Sequence, residues 1–256
     1  IRDLGGGTTI DLTGGMGADT YFMSRQAAHA DYCEQDPALC AIAEHNFEAL
    51  GADNISCHAG DSLQYLAESG QKYDTIYIDP ARRDRQGRKV AAFEDCTPNL
   101  LEHLGLLRSR CRHLLIKASP MIDLRQAEQQ LGTVSDIHIL ALKNECKEVL
   151  FVVPGEAAPT PAAIHCLNFP RADSTPQTFR FTREAEEAAT AAFAAEAGGW
   201  LYEPNAALMK GGCFRLLSQH YGIRQLARNT HLYTSDQQTA DFPGRTFRVL
   251  QPVTLN

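Results

Sequence analysis

The stretch Asp11-Leu-Thr-Gly-Gly-Met-Gly-Ala-Asp19 constrains this chain more than any other, because three glycines stand between a β-rich run and the start of a helix. A strand that turns through glycines into a helix opens an α/β fold. Glycine is needed there because a Cβ would block either a left-handed backbone or the approach of a bound ligand. Such a turn alone suits NAD, FAD, S-adenosylmethionine, or no ligand at all. The residues downstream narrow the choice.

Short β-rich runs alternate with helical patterns through the first part of the chain, an order that implies a parallel sheet. Strands are expected at residues 8–13, 30–34, 54–58, 73–78 and 113–117, with closing strands at 135–142 and 148–153. Helices are expected after Asp19, over Pro37–Leu50, from Asp61, around Pro98–Leu107 and over Leu124–Leu131. The helix at Pro37 carries proline in its first turn, a glycine just past its end, and Leu39, Ile42, Ala43, Phe47 and Leu50 at helical spacing. The expected fold class is α/β: a Rossmann-like, seven-stranded, mostly parallel sheet with helices on both faces, plus a smaller C-terminal α+β domain. Right-handed crossovers in such a sheet leave a ligand crevice at the carboxyl ends of the strands.

The Pro-, Ala- and Thr-rich segment 154–177 marks the boundary, which divides the chain into residues 1–155 and residues 156–256. Within 156–256, strands are expected at 163–167, 179–182, 200–202, 223–227, 231–234 and 246–250. An Ala-rich helix is expected over Arg183–Ala197, and one or two helices over Asn205–Tyr221 with a break at Gly211-Gly212.

At 256 residues the chain exceeds the usual size of one domain. Its longest apolar runs are only strand-sized, and nothing reads as a signal peptide, so a cytoplasmic protein is expected. The eight cysteines are scattered without a CxxC pair, which argues for reduced, buried thiols and for no metal site. The chain starts without an initiator Met almost at the first strand, so a preceding segment is expected. The net charge of −7 offers no global signal for nucleic acid. Locally, Lys210, Arg215, Arg224 and Arg228 give residues 201–231 a basic excess over Glu203, suited to phosphate or to a solvated face.

Four acids stand at or just beyond the carboxyl ends of successive expected strands, or just inside one: Asp11, Glu34, Asp61 and Asp79. A doubly wound sheet brings all four to one rim. Glu34, seventeen positions after Gly17, lies where an acid accepts hydrogen bonds from both ribose hydroxyls of an adenosine. Asp61, in Gly60-Asp61-Ser62, suits an adenine amine and equally caps the next helix. NAD sites need only the glycines and the ribose acid, so Asp61 adds weight to S-adenosylmethionine.

The fourth strand ends Tyr73-Asp-Thr-Ile-Tyr-Ile-Asp79-Pro80-Ala81-Arg82-Arg83-Asp84. Here the chain resembles the class I S-adenosylmethionine-dependent methyltransferases, whose first motif is Asp/Glu-x-Gly-x-Gly-x-Gly and whose fourth strand often ends Asp/Asn-Pro-Pro-aromatic. Asp11, Gly15 and Gly17 match, while Thr13 replaces the first glycine. More narrowly, Asp-Leu-Thr-Gly-Gly, Tyr-Ile-Asp-Pro-Ala-Arg-Arg-Asp, Glu94-Asp-Cys-Thr-Pro98 and Tyr202-Glu-Pro-Asn205 resemble a bacterial methyltransferase family carrying a C-terminal THUMP-like domain. The resemblance covers nearly the whole chain.

It implies a cofactor site of Asp11, Thr13, Gly14, Gly15, Gly17, Glu34, Gly60, Asp61 and Ser62, with Asp79 and Pro80 beside the transferred methyl; it implies no known substrate, and RNA is the expected substrate class because a THUMP-like C-terminal part would present it. Pro80-Ala81-Arg82 departs from Pro-Pro-aromatic and removes the ring that stacks a base in amino-methylating relatives. An Arg plane stacks on a base or binds phosphate, so Arg82 and Arg83 are substrate-binding candidates. Lys117, after the fifth strand, either contacts substrate or pairs with an acid. Arg85, Arg88 and Lys89 complete a run of five positive charges in eight residues. Cys96 fits a nucleophilic thiolate or, more simply, a small buried hydrophobe. Two rival readings remain open: an NAD(P)-dependent oxidoreductase, for which no hydride-transfer partner is evident, and an RNA-binding module of the same fold without catalysis.

Overall fold

The computed structural model describes residues 4, 6–81, 93, 96, 98–156 and 161–251. Its elements run β1 (Thr8–Asp11), α1 (Ala18–Ser24), β2 (His29–Glu34), α2 (Pro37–Ala49), β3 (Ile55–Ala59), α3 (Ser62–Ser69) and β4 (Tyr73–Ile78). They continue with α4 (Leu100–Ser109), β5 (Cys111–Ala118), α5 (Leu124–Leu131), β6 (Asp136–Leu142), β7 (Glu145–Pro154), β8 (Ala163–Phe169) and β9 (Gln177–Phe181). The remainder is α6 (Arg183–Ala188), β10 (Trp200–Pro204), α7 (Ala206–Gly211), α8 (Phe214–Tyr221), β11 (Arg224–Gln225), β12 (Tyr233–Ser235) and β13 (Gly244–Arg248).

Helix starts follow from local chemistry. Asp36, Asp61, Asn99 and Asp123 each accept a hydrogen bond from one or more backbone N–H groups in the first turn of α2, α3, α4 and α5, satisfying donors that have no partner inside the helix. In α5 the apolar positions Leu124, Ala127 and Leu131 are the buried ones, a stripe of helical period.

The chain divides into two compact units, Ile1–Ser135 with Leu150–Thr160, and Asp136–Val149 with Pro161–Asn256. In the first unit the strands lie in the order β3-β2-β1-β4-β5, and every adjacent pair is parallel. Ile10, Ile76, Ile78, Leu114 and Ile116, from the central strands, are fully buried. Parallel pairing in sequence order outward from β1, then from β4, puts the carboxyl ends of β1 to β4 on one edge.

In the second unit β8 pairs in parallel with β6 and antiparallel with β9, and α7 packs on β6 and β8. A Cβ on Gly211 of α7 would lie 2.7 Å from the Cys166 sulfur, so the helix approaches β8 as closely as glycine allows. Among the described residues the larger sheet therefore has nine strands rather than the expected seven. The physical reason is that β8 and β9 satisfy the hydrogen bonds that β6 would otherwise expose as an edge. Lys143 and Asn144, both at positive φ (52° and 62°), make the two-residue turn between β6 and β7. A separate sheet of order β11-β12-β10-β13, antiparallel throughout, completes this unit.

The Ala-rich helix expected over Arg183–Ala197 stops at Ala188. Beyond it the Ala192 carbonyl accepts from Gln225 N–H and Ala194 N–H donates to the Gln225 carbonyl, and Ala189 and Ala194 are buried. Tertiary pairing thus overrides the helical propensity of alanine. Among the described residues no helix is long and apolar enough to cross a membrane.

Candidate functional site

At the carboxyl edge of the first unit lies a cleft of about 410 Å³, lined by Leu12, Thr13, Cys33, Glu34, Gln35, Asp61, Ser62, Leu63, Asp79, Ala81 and Pro98. It gathers Thr13, Glu34, Asp61, Ser62 and Asp79, which the sequence assigns to one rim. Asp11, Gly14, Gly15, Gly17, Gly60, Pro80 and Lys117 are not among its lining residues. Arg82 and Arg83 lie outside the described residues, as do Asp84, Arg85, Arg88, Lys89, Glu94 and Asp95.

Asp11 ends β1 in full burial and shapes the turn from behind. Its carboxylate accepts from Thr13 N–H at 2.9 Å and from the Thr20 hydroxyl at 2.7 Å. Burial raises its pKa to about 6 against the opposing effect of these hydrogen bonds. The three glycines of the turn do different work. A Cβ on Gly14 would lie 2.2 Å from the Tyr32 ring, and one on Gly17, at φ 80°, 2.5 Å from Phe47. Gly15, at φ 53°, has only the Thr13 carbonyl oxygen within 4 Å of such an atom, and its own carbonyl accepts from the Tyr32 hydroxyl at 2.6 Å. Two of the glycines are therefore set by packing, and the middle one by backbone conformation beside open space.

Glu34 braces the turn: Gly15 N–H donates to Oε2 at 2.8 Å and Asp36 N–H to Oε1 at 2.9 Å. Each carboxylate oxygen keeps a second lone pair for another donor. Gly60 N–H donates to the Glu34 carbonyl at 2.8 Å, tying the loop after β3 to the end of β2. Asp61 uses Oδ1 for the N–H groups of Leu63 and Gln64 at 2.9 and 3.0 Å. The capping role the sequence allows is thus realised through Oδ1, and Oδ2 keeps its capacity as an acceptor.

Asp79 belongs to a different network. Its N–H donates to the Thr13 hydroxyl at 2.7 Å, which explains why a threonine stands where related motifs have glycine: the side chain joins the β1 turn to the bend after β4. The Asp79 carboxylate lies 2.7 Å from Lys117 Nζ, and the same ammonium lies 2.9 Å from Asp19. The Tyr77 hydroxyl donates to Asp19 at 2.8 Å. Burial works against the Lys117 charge, but hydrogen bonds and charges from Asp79 and Asp19 outweigh it and hold the ammonium above the usual lysine range. Burial, reinforced by Asp19, pushes the Tyr77 hydroxyl well up, so it stays a donor. Lys117 accordingly pairs with two acids. Sequence reasoning missed Asp19 and Tyr77; the available signal was that Tyr77 sits two residues before Asp79, near the carboxyl end of β4.

All eight cysteines are free thiols, and Cys96 is buried. Of the basic residues in 201–231, Arg224 pairs with Asp236 at 3.0 Å and the Arg215 guanidinium donates to the Glu187 carbonyl.

The first unit is a Rossmann-like α/β sheet, and the proteins this chain is similar to are named methyltransferases. Residues 2–107 match the family described as conserved hypothetical protein 95, and residues 200–243 match a ferredoxin-like domain. That second match falls within residues 156–256, for which a small ferredoxin-like or THUMP-like α+β region is expected, and its description is ferredoxin-like. A solved structure from Porphyromonas gingivalis W83, provisionally named a methyltransferase, superposes with a TM-score of 0.83 at 34% identity, over 95% of this chain and 61% of that one. The uncharacterized S-adenosylmethionine-dependent methyltransferase of Mycobacterium tuberculosis H37Rv is 25% identical over 100% of this chain and 65% of its own length. Ribosomal RNA small subunit methyltransferase J of Desulfotalea psychrophila is 28% identical over 81 residues, 28% of this chain and 31% of that protein. The chain therefore spans somewhat under two thirds of its full-length relatives.

Proposed function

We propose that the chain is an S-adenosylmethionine-dependent methyltransferase acting on RNA. The observation that carries this reading is the meeting of Thr13, Glu34, Asp61, Ser62 and Asp79 around one cleft beside the glycine turn. Residues 1–155 hold the cofactor in this reading, and residues 156–256 present the RNA. The names of the relatives support the cofactor; the ribosomal RNA methyltransferase, matching a shorter stretch, supports the substrate class.

In the proposed site Glu34 accepts from the ribose hydroxyls and Asp61 from the adenine amine, each through acceptor capacity its backbone donors leave over. Gly15 lets the main chain lie against the cofactor. Asp79 orients the substrate nucleophile and takes its proton, and Pro80 fixes the bend that carries it. Arg82, Arg83 and Lys117 are assigned to the anionic substrate, Lys117 through Asp79. The reaction is an in-line displacement: a lone pair of the nucleophile forms a bond to the methyl carbon as the carbon–sulfur bond breaks, sulfur leaves as a neutral thioether, and the nucleophile loses its proton. Positioning carries most of the rate.

Titration calorimetry tests the cofactor directly. S-adenosylmethionine and S-adenosylhomocysteine bind with one-to-one stoichiometry and NAD does not. Saturable NAD binding without sulfonium binding overturns the reading. Transfer of labelled methyl groups to unmodified RNA then tests the substrate class, and cofactor binding without transfer to any RNA pool points to a non-catalytic module.

A further inference from the structure

Asp136 and His138 stand two residues apart on β6, so their side chains leave the same face of the strand. The parallel register pairs His138 with His165 on β8. The two imidazoles stack with centroids 4.4 Å apart and planes 11° from parallel, and His165 Nε2 lies 2.9 Å from Asp136 Oδ1. One donor atom from each of the three residues lies within 4.8 Å of the other two. All three are half-buried, and all belong to the second compact unit, apart from the cleft.

We propose that Asp136, His138 and His165 bind a divalent transition-metal ion of the Zn²⁺ class. Two imidazoles and one carboxylate are the nitrogen and oxygen donors such an ion prefers, with a fourth position left for water. Ligands of a tetrahedral ion with bonds near 2.1 Å are separated by roughly 3.4 Å. Asp136 and His165 stand 2.9 Å apart, and rotation of the His138 ring closes the other two edges, which already lie within 4.8 Å. The donors sit on two paired strands rather than on loops, so little chain entropy is lost on binding. The ion would clamp β6 to β8, a pairing of strands more than twenty residues apart in sequence, and so acts on stability rather than on methyl transfer. The scattered cysteines, which argue against a thiolate site, are silent about this one, because its ligands come from distant segments that only the fold brings together.

The probes are Zn²⁺ and Co²⁺ added to the full, chelator-treated chain. The expected results are one ion per chain in calorimetry, visible absorption of bound Co²⁺ that shows direct nitrogen and oxygen coordination, and a rise in Tm that EDTA reverses. Both His138→Gln and His165→Gln should weaken binding at least about 100-fold while the metal-free Tm stays close to that of the parent. His58→Gln, at the separate pairing of His58 with Asp31 on β2, should leave binding unchanged and controls for general histidine loss. Absence of saturable binding at micromolar Zn²⁺ overturns the proposal. So does binding that survives both glutamine variants within about threefold, which would assign the ion to the cysteines or to another site. If both variants unfold, Asp136→Asn, which keeps a hydrogen-bonding group beside His165, carries the same test.

Discussion

On the side of the cleft formed by Glu34 and Asp61, carboxylate oxygens accept from main-chain N–H groups a few residues away or across the glycine turn. On the side formed by Asp79, the carboxylate instead shares one half-buried ammonium, that of Lys117, with Asp19. The first arrangement is made largely by local chain geometry and holds its acids in place with neutral donors. The second depends on residues from β1, α1, β4 and β5 meeting at one point and balances charge against charge. In the proposed reaction the first side binds and the second reacts.

The sharpest way to separate the two sides is Asp79→Ala. It should lower turnover about 10²- to 10⁴-fold, the range for loss of a positioned proton acceptor, and change cofactor affinity by less than about threefold. Turnover equal to the parent would dissolve the distinction.

Asp11 behind the turn gives the next largest effect, through pH. Burial keeps its proton on in the folded chain up to about pH 6, against 3.8 for the ordinary group. Between those values the folded state binds more protons than the unfolded one, so stability is greatest below the window and falls as pH rises through it. The loss is roughly 3 kcal/mol for a shift of this size. Asp11→Asn, which can still accept from Thr13 N–H, should flatten that slope in urea titrations at pH 4 and pH 7; an unchanged slope would assign the pH dependence elsewhere.

Gly17→Ala forces a Cβ onto the Phe47 ring in a left-handed backbone and should cost about 2–4 kcal/mol of stability. Gly15→Ala meets no such ring and should cost only about 1–2 kcal/mol, seen as a higher denaturation midpoint than Gly17→Ala. Equal losses would mean that packing does not distinguish the two glycines.

A change confined to affinity sharpens the binding side. Asp61→Ser keeps a helix cap but removes the second acceptor oxygen, so S-adenosylmethionine affinity should fall about 10- to 150-fold with Tm nearly unchanged. An affinity within error of the parent would leave Asp61 as a cap alone.

Much of this was legible in the sequence where signals are local. The strand and helix order through β7, the helix starts at Pro37 and Leu124, and the break at Gly211-Gly212 all follow from periodicity, capping residues and glycine. The acids at strand ends were legible for the same reason, since a parallel sheet turns strand ends into a rim. What stayed hidden was long-range. The joining of β8 and β9 to β6 is a pairing choice that no local pattern encodes, and the early end of α6, at Ala188, is set by pairing with the distant Gln225. The Lys117 pair with Asp19 spans 98 positions, so only the alternative of substrate or acid could be read, not the answer.

A crystal structure with S-adenosylhomocysteine tests the central claim most directly. The account predicts ribose hydroxyls against Glu34, the adenine beside Asp61 and the thioether sulfur facing Asp79. A ligand bound away from the carboxyl edge of β1 to β4, or reversed so that the adenine meets Asp79, would contradict it.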